Sequence, residues 1–548
     1  MITDFSTPLS THVNGTVPLP LSPVLNFLVA MLLLLFLLHL VATKWIMARM
    51  QTKKPFPELP MPLKGNHWLF GHMKTLYGGD SEFPHSILRV QKQSANAYGQ
   101  TGYWITNKRV VCTTDLQDAR TILWKEYRRE TFPILGRFVF RVVGENALIL
   151  LNGRAWKLHR DSIIRTFSVD FLKHAQGQIQ QVAHDLVSTL HRIIEEDANN
   201  CWEGNVQPIC KHATMDVFGK AAFGIDFGGC KTLTSSPLVE AFEHLCVDLT
   251  NRLEYPLAPW NYFFGLPTQK NRRQRRHFLY LRNFIQQLLD KEEGEQQNTL
   301  LSRLVQAHHN KEGDGSDEAI KDVMSTLLFA GYDTTSTTLT FSLYLLANHP
   351  DIQDTCLEEI QQLSEAELSD PDKLQYTAAV VKETLRLYPA AFQTSRTLTK
   401  PIRLKGGFEA PAGVHVAIPI LVIQRDEAIF PHADECRPER WVEKRGSSTK
   451  WTERSYSNDK KQEIEHSSFS SEGGMKIRAG NPDAILVFSL GGRSCPGSKF
   501  AFQEAVLLLA NLIKDLKVKP VPDYKLEMKI QGILPIPVGG IPLRIEKR

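Results

Sequence analysis

The sequence is poor in grouped cysteines. Its eight cysteines are spread over 548 residues and include no C-x-x-C pair. Disulfide frameworks, zinc fingers and cysteine-ligated iron–sulfur clusters all need such groupings, so the sequence predicts none of them. Most of the cysteines are instead expected to be buried thiols.

An excess of one charge sign is also missing. The 64 Lys and Arg residues against 59 Asp and Glu residues leave a net charge of +5, too weak a basic balance to predict nucleic-acid binding. At 42% hydrophobic and 22% charged residues, the composition is typical of a globular protein. Length alone suggests three or four domains of about 150 residues, but a chain without linkers can also form one large domain.

Long apolar runs are missing, with one exception at residues 24–43. These 20 residues are almost all Leu, Val, Ala, Phe and Met, and as a helix they would span about 30 Å, one bilayer core. A cleaved signal peptide is the alternative, but the run is too long for one and no charged segment precedes it. Transporters and channels need several such runs and are therefore not predicted.

Charges around the run predict its orientation. Only Asp4 precedes it, and the basic residues that follow are Lys44, Arg49, Lys53 and Lys54. The positive-inside rule then leaves residues 1–23 in the lumen and the body of the chain in the cytosol. The tripeptide Asn14-Gly15-Thr16 is a glycosylation sequence on the lumenal side, although such tripeptides also arise by chance.

The remainder divides into a connector and one long region. Residues 44–65 are basic and then rich in proline, which favours a stiff, extended connector. No internal repeat follows, and residues 444–483 form a polar insertion rich in Ser, Lys and Glu. Residues 66–548 are accordingly expected to form a single catalytic domain that carries this insertion.

Helical patterns dominate that domain. Ser316 is a predicted N-cap of a helix that continues to His349, and Asp370-Pro371 opens a helix that is predicted to run to Tyr388. Short strands punctuated by Pro and Gly are predicted after Thr397, including Val414 to Ile418. The expected class is mainly α with a small β part.

A glycine-rich loop around one cysteine, Phe488 to Gly497, is the most informative segment. It precedes a predicted helix over residues 499–516, whose dipole and free N–H groups favour a metal-binding thiolate at Cys495. Gly491 permits positive φ or close approach of a flat ligand, and Arg493 offers its guanidinium to an anion. A lone cysteine suits a metal whose other positions are filled, as in heme, whereas the alternative is a structural cysteine in a glycine turn.

The loop resembles the cytochrome P450 family of heme-thiolate monooxygenases. Their pattern F-x-x-G-x-R-x-C-x-G is matched at every fixed position, namely Phe488, Gly491, Arg493, Cys495 and Gly497. The resemblance implies the cytochrome P450 fold and heme b with an axial thiolate from Cys495. It also implies insertion of one oxygen atom of O2 into a C–H bond of an apolar substrate.

A second segment, Ala330 to Thr335, breaks an apolar helical pattern with a glycine, an acid and hydroxyls. The Thr334 hydroxyl is expected to bond the carbonyl of Ala330, and a plain packing kink is the alternative explanation for the break. The resemblance implies that Asp333 and Thr334 form the acid–alcohol pair that relays protons to the reacting oxygen. Thr335 is expected to be structural.

A structural charge network is implied by the same resemblance. Glu383 and Arg386 lie three positions apart on one helix face and would ordinarily form a solvated surface pair. In the family the corresponding pair is buried and completed by an arginine that matches Arg440. Its loss would leave an unpaired buried charge, so the role is structural rather than catalytic.

Two further segments resemble propionate-binding positions of the family. Trp156 and Arg160 project from one helical face, and the W-x-x-x-R spacing resembles the propionate-binding helix. Arg396, seven residues beyond Pro389, matches another propionate ligand. The alternatives are an amphipathic surface helix for the first pair and an ordinary strand-entry arginine for Arg396.

Partners follow from what the chain does not contain. No dinucleotide fingerprint or flavin domain is recognisable, so electrons must come from another protein. The resemblance implies NADPH–cytochrome reductase as the electron donor, with cytochrome b5 as a second candidate. The partner is expected to dock on a basic side of the protein that includes Lys499. The alternative for Lys499 is an ordinary solvated lysine. The aromatic segment 255–265 and the basic residues after it predict a membrane interface. Together with the N-terminal anchor, the resemblance implies the endoplasmic reticulum membrane.

The substrate is expected to be a lipophilic small molecule, with a fatty acid or its derivative favoured. Sterols, carotenoids or other isoprenoids, and xenobiotics are open alternatives. A heme-thiolate isomerase or dehydratase and a non-catalytic heme-binding protein are alternatives of other classes. The acid–alcohol pair argues against the isomerase and dehydratase branches, which often lack it.

Overall fold

A computed structural model describes most of the chain after the connector. The described residues are 31, 34, 36–39, 41, 54–61, 91, 93–105, 108–130, 143–254, 268–292, 298–309, 316–444, 451–453, 485–531 and 534–548. Asn14, the aromatic segment 255–265, and most of residues 24–43 and of the insertion 444–483 lie outside them. Among the described residues, no helix has the length and apolarity needed to cross a membrane.

Helices make up the larger part of the described chain. In chain order they are α1 (Leu116–Lys125), α2 (Gly153–Thr166), α3 (Val169–Glu196), α4 (Val206–Phe218), α5 (Gly229–Thr232), α6 (Pro237–Glu254), α7 (Gln269–Glu292), α8 (Leu300–His309), α9 (Asp317–Asn348), α10 (Pro350–Gln361), α11 (Glu365–Leu368), α12 (Gln375–Leu387), α13 (Ile420–Ile423) and α14 (Ser498–Asp515). A π-helical turn, Gly219–Phe223, extends α4. Short 3-10 turns occur at Pro371–Lys373, Lys405–Gly407, Pro438–Arg440 and Gly491–Arg493.

The strands are short and form small sheets. They are β1 (Gln100–Ile105), β2 (Lys108–Thr113), β3 (Cys201–Asn205), β4 (Thr394–Thr397), β5 (Ile402–Arg403), β6 (Glu409–Ala410), β7 (His415–Ile418), β8 (Val442–Lys444), β9 (Trp451–Glu453), β10 (Leu516–Pro520), β11 (Met528–Gln531), β12 (Leu534–Pro537) and β13 (Pro542–Lys547). One sheet has the order β1-β2-β7-β4, a second has β10-β13-β3, and three are two-stranded. The expected class, mainly α with a small β part, is confirmed.

Helix α9 is the central element of the core. Its predicted cap is present, because the Ser316 side chain accepts a hydrogen bond from the Ala319 N–H, and Asp317 and Glu318 follow in the first turn. Most of its residues are buried, and it packs against α4, α7, α12 and α14. A helix that is apolar nearly all round is typical of such a position.

The helix predicted to run from Pro371 to Tyr388 is wrong at its start. Residues 371–373 form a separate 3-10 turn, and Leu374 has non-helical angles of φ −95° and ψ 60° while its side chain is fully buried. Helix α12 therefore begins only at Gln375. Its start is satisfied from another helix, since the buried carboxylate of Glu359 accepts the N–H groups of Tyr376 at 2.6 Å and Thr377 at 2.9 Å.

One hydrophobic core connects the beginning of the described body to its last strand. It includes Phe56 of the connector, much of α9 and α14, and Ile545 of β13. All eight cysteines are free thiols, and five of them are buried, which confirms that most are buried thiols, whereas Cys495 is exposed.

Candidate functional site

The loop that carries Cys495 is closed by backbone contacts before α14 begins. The Cys495 N–H donates to the Phe488 carbonyl at 2.8 Å, so Phe488 anchors the start of the turn. Gly491 has φ +66°, and a Cβ there would lie 2.6 Å from the Leu123 carbonyl oxygen. Only glycine meets both demands, because other residues are strained at positive φ and would collide with the end of α1.

The Cys495 thiol is accessible although much protein surrounds it. Its side chain is accessible, yet desolvation by surrounding protein raises its pKa, and the Gly497 N–H and the Arg160 guanidinium lower it only in part. The Gly497 N–H at the start of α14 and the Arg160 guanidinium both favour the thiolate, which is the direction that the position of the loop predicts.

Arg493 and Trp156 form one wall near this cysteine. The Arg493 guanidinium donates to the carbonyls of Tyr127 and Leu151, each at 2.7 Å, and its Cζ lies 4.2 Å from the centroid of the Trp156 ring. The Tyr127 ring stacks on the same indole at 6.3 Å. The buried Nε1 of Trp156 has no hydrogen-bond partner among the described residues, so a donor is left available for a ligand.

The other two expected propionate ligands reach the same loop. Arg160, on the same face of α2 as Trp156, donates to the carbonyl and hydroxyl of Ser494 at 2.8 and 3.1 Å. Arg396, fully buried in β4, donates to the Glu126 carbonyl at 3.0 Å and to the Ser489 hydroxyl at 2.9 Å. Both arginines thus hold the cysteine loop through neutral oxygens.

Four guanidiniums converge there, and the fourth was not expected. Arg129 follows α1 and donates to the Thr394 hydroxyl at 2.9 Å. Burial, with the cations of Arg129, Arg493 and Arg160, lowers the pKa of Arg396 to about 9. Burial lowers the pKa of Arg493 to about 9 as well, together with the nearby cations of Arg129 and Arg160. Within the described residues, none of the four forms a salt bridge with an acid, so the cluster suits an anionic ligand.

The acid and the hydroxyl on α9 interrupt its buried face. The Thr334 hydroxyl donates to the Ala330 carbonyl at 2.6 Å, which confirms the predicted bond. Asp333 is 18% exposed and its Oδ1 lies 3.5 Å from the Lys211 ammonium of α4. A packing reason for the neighbouring glycine is also present, since a Cβ at Gly331 would lie 3.3 Å from the ring of Phe218.

Glu383, Arg386 and Arg440 come together as a buried network. Arg386 donates from two nitrogens to the Glu383 carboxylate at 2.7 and 2.9 Å, and both side chains are fully buried. Arg440 donates to the same carboxylate at 3.1 Å. The indole N–H of Trp441 also donates to it, at 3.0 Å. The arrangement joins α12 to the 3-10 turn at residues 438–440. Its residues are distant from Cys495 in the sequence and make no contact with it within the described residues.

The surface expected to meet the membrane is described only in part. The exposed basic residues in the first turns of α7 are Arg272, Arg273, Arg275 and Arg276. Arg273 contacts His244 at 2.7 Å, and Lys270 forms an ion pair with Asp248 at 3.6 Å, so the first turns of α7 also contact α6. Lys499 is exposed near the start of α14.

Sequence reasoning missed several charged groups around the site. Arg129 lies in an unpatterned stretch of basic residues, and Lys211 and Glu243 lie on ordinary amphipathic helices. Glu504 of α14 is buried, and burial raises its pKa while the neighbouring Thr335 hydroxyl lowers it. No spacing along the chain connects these residues, because each meets the site only through tertiary packing.

Comparison with known proteins gives consistent matches over nearly the whole chain. The family model for cytochrome P450 matches residues 60–541. The chain is 27% identical to cytochrome P450 4A24 of Sus scrofa over 521 residues, 91% of this chain and 93% of that protein. It is 26% identical to taurochenodeoxycholic 6 alpha-hydroxylase of Sus scrofa, covering 95% and 97% of the two chains. It is 27% identical to cytochrome P450 3A12 of Canis lupus familiaris, covering 82% and 85%.

The glycine at the cysteine loop predicts a stability difference between two variants. Gly491→Ala should lower the thermal unfolding midpoint more than Gly153→Ala, because both have positive φ but only residue 491 meets other atoms within 3 Å. The added overpacking should cost about 1–3 kcal/mol. Thermal unfolding followed by circular dichroism measures this, and equal losses in the two variants would contradict the close approach to α1.

Proposed function

Because the chain belongs to the cytochrome P450 family of monooxygenases, which carry heme b on a cysteine thiolate, we propose that it hydroxylates an apolar, lipid-like substrate. Cys495 is the proposed axial ligand. The observation that carries the proposal is the convergence of four guanidiniums, none in a salt bridge among the described residues, on the loop of this accessible cysteine.

The residues present fit heme b. Its two propionates would accept charge-assisted hydrogen bonds from the four guanidiniums, those of Arg129, Arg160, Arg396 and Arg493. One propionate would also accept a hydrogen bond from the unpartnered Nε1–H of Trp156. Gly491 keeps the cysteine loop close to α1, and Phe488 closes the loop. When bound, heme b would supply the activation of O2 that amino-acid side chains cannot provide.

Asp333 and Thr334 are the proposed proton-handling residues. Burial and the Glu243 carboxylate raise the pKa of Asp333, the Lys211 ammonium lowers it, and the balance is a raised pKa. A carboxyl with a raised pKa holds its proton closer to neutral pH and is a better general acid there. The Thr334 hydroxyl, held by the Ala330 carbonyl, is one residue away and would pass the proton toward the substrate side.

The substrate is proposed to be a fatty acid or a related lipid. The aromatic segment 255–265, which its sequence predicts to meet the membrane, and the apolar helix α9 would favour entry of such a molecule. One relative is named as a 6 alpha-hydroxylase of a taurochenodeoxycholic compound, which keeps steroid substrates as the second candidate. Isoprenoid and xenobiotic substrates remain alternatives.

The domain organisation and location are part of the proposal. Residues 24–43 would anchor the protein in the endoplasmic reticulum membrane, with residues 1–23 in the lumen and the body in the cytosol. Residues 66–548 would form one catalytic domain, which is supported by a single large hydrophobic core.

Electrons would come from a membrane-bound NADPH–cytochrome reductase, with cytochrome b5 as a second donor. The basic side near Lys499 is the proposed docking surface.

Arg129 provides a test of the propionate site. Arg129→Met should release heme to an acceptor protein about tenfold faster, because one charge-assisted hydrogen bond worth about 1.4 kcal/mol is lost. The matched control is Arg128→Met, since Arg128 is 55% exposed and pairs with Glu130. Equal heme release from the two variants would remove Arg129 from the site.

Cys495 provides a test of the cofactor assignment and of turnover. The reduced, carbon monoxide-bound wild type should show the thiolate-type absorption band, and Cys495→Ala should lose it. With reductase, NADPH and O2, the wild type should then form hydroxylated products from a panel of fatty acids, steroids and isoprenoids. No product from any lipid would favour a heme-binding protein, and reductase-independent conversion of a lipid hydroperoxide would favour an isomerase or dehydratase.

Thr334 provides a test of proton handling. Thr334→Ala should keep consuming NADPH but form less product and more peroxide, because the hydroxyl of the relay is missing. Thr338→Ala is the control, since its hydroxyl makes a similar bond one turn later, to the Thr334 carbonyl at 3.0 Å. The relay would be refuted by unchanged coupling of NADPH consumption to product in Thr334→Ala.

A further inference from the structure

Asp333 shares its lysine with a second acid. The Lys211 ammonium of α4 lies 3.5 Å from Asp333 Oδ1 and 3.4 Å from Oε1 of Glu243, which belongs to α6. The two distances are nearly equal, so one cation bridges two carboxylates that come from different helices. The side chains of Lys211 and Glu243 are 28% and 36% exposed, against 18% for Asp333, so the pair lies on the solvent side of the acid.

The Glu243 carboxylate accepts hydrogen bonds from more donors than the Asp333 carboxylate does. Besides Lys211, it accepts the hydroxyl of Tyr332 at 2.5 Å, and Lys211 also lies 5.4 Å from the centroid of that ring. Tyr332 is held in place, since the Thr214 hydroxyl donates to its carbonyl at 3.2 Å. Burial and the nearby acids raise the pKa of Tyr332, so its hydroxyl remains a donor. The Glu243 carboxylate is therefore held in place by two donors, next to the lysine that it shares with Asp333.

The charges around Asp333 oppose one another. Burial has the largest effect and raises the pKa of Asp333. The Lys211 ammonium lowers that pKa, and the Glu243 carboxylate raises it. The other titratable groups that face it are the Tyr332 hydroxyl and the Cys246 thiol of α6, whose pKa is itself raised by burial and by Asp333. Glu504 of α14 lies against Thr335 instead. The Lys211 ammonium and the Glu243 carboxylate therefore act on Asp333 in opposite directions, so the proton occupancy of the Asp333 carboxyl is sensitive to either neighbour.

We propose that Lys211 and Glu243 are positioning residues that set how often Asp333 carries a proton, with Glu243 favouring the protonated acid and Lys211 favouring its anion. The use of that proton in oxygenation rests on the proposed function, but its control by the two residues does not. Within the described residues, neither Lys211 nor Glu243 contacts the Cys495 loop. Both therefore act through Asp333.

The experiment is an infrared pH titration of the full-length ferric holoenzyme. The carbonyl band of protonated Asp333 is identified by its loss in Asp333→Asn. Glu243→Gln should move the titration of this band to lower pH by about 1 unit, because removal of a neighbouring negative charge makes ionisation easier. Lys211→Gln should move it to higher pH by about 1 unit, because the stabilising cation is lost.

Two control variants separate this effect from general changes in charge or folding. Glu240→Gln makes the same charge change at an exposed position of α6 and should leave the titration unchanged. Lys211→Arg keeps the cation and should stay closer to the wild type than Lys211→Gln. The pH profile of coupling between NADPH consumption and product should move in the same directions as the infrared band.

The outcomes distinguish this inference from the proposed function. Shifts of the same sign in Glu243→Gln and Lys211→Gln, or none beyond that of Glu240→Gln, would overturn the control of Asp333 by this pair. Opposite shifts together with unchanged coupling in Thr334→Ala would support that control while overturning the relay.

Discussion

The site depends on holding four like charges together without an acid between them. Buried guanidiniums that face one another are mutually repulsive, so the fold must compensate for their proximity. It does so with neutral oxygens from separate segments, such as the Glu126 carbonyl for Arg396, the Tyr127 carbonyl for Arg493 and Ser494 for Arg160. The same bonds tie the cysteine loop to α1, α2 and β4, so the repulsive cluster also determines where Cys495 lies.

A second arginine cluster in the same protein shows the contrast. Around Glu383, the carboxylate accepts hydrogen bonds from Arg386, Arg440 and Trp441, so one acid lies between the two guanidiniums. That network needs no ligand and joins parts of the fold to each other. The compensating acid is therefore the physical difference between a structural arginine cluster and one arranged for an anionic ligand.

Local signals predicted the helix caps, the cysteine loop and the Thr334 bond because each depends on residues close together in sequence. The start of α12 was mispredicted because its N-terminus is satisfied by Glu359, a residue of another helix. Arg129 and the Lys211–Glu243 pair could not be predicted for the same reason, since they meet the site only in three dimensions. The desolvation of Cys495 by surrounding protein has no signal in the loop motif, because it depends on tertiary packing.

The sheet formed by β10, β13 and β3 has a consequence for the timing of folding. Strand β3 pairs with β13 in the register Cys201↔Glu546 to Asn205↔Pro542, so its partner is made long after it leaves the ribosome. At about 5–20 residues per second, the intervening chain takes tens of seconds to synthesise. During that interval the edge of β3 is unpaired, and an exposed strand edge invites pairing with other chains. Nascent chains of this protein should therefore be most prone to aggregation, and most dependent on chaperones, before β13 emerges.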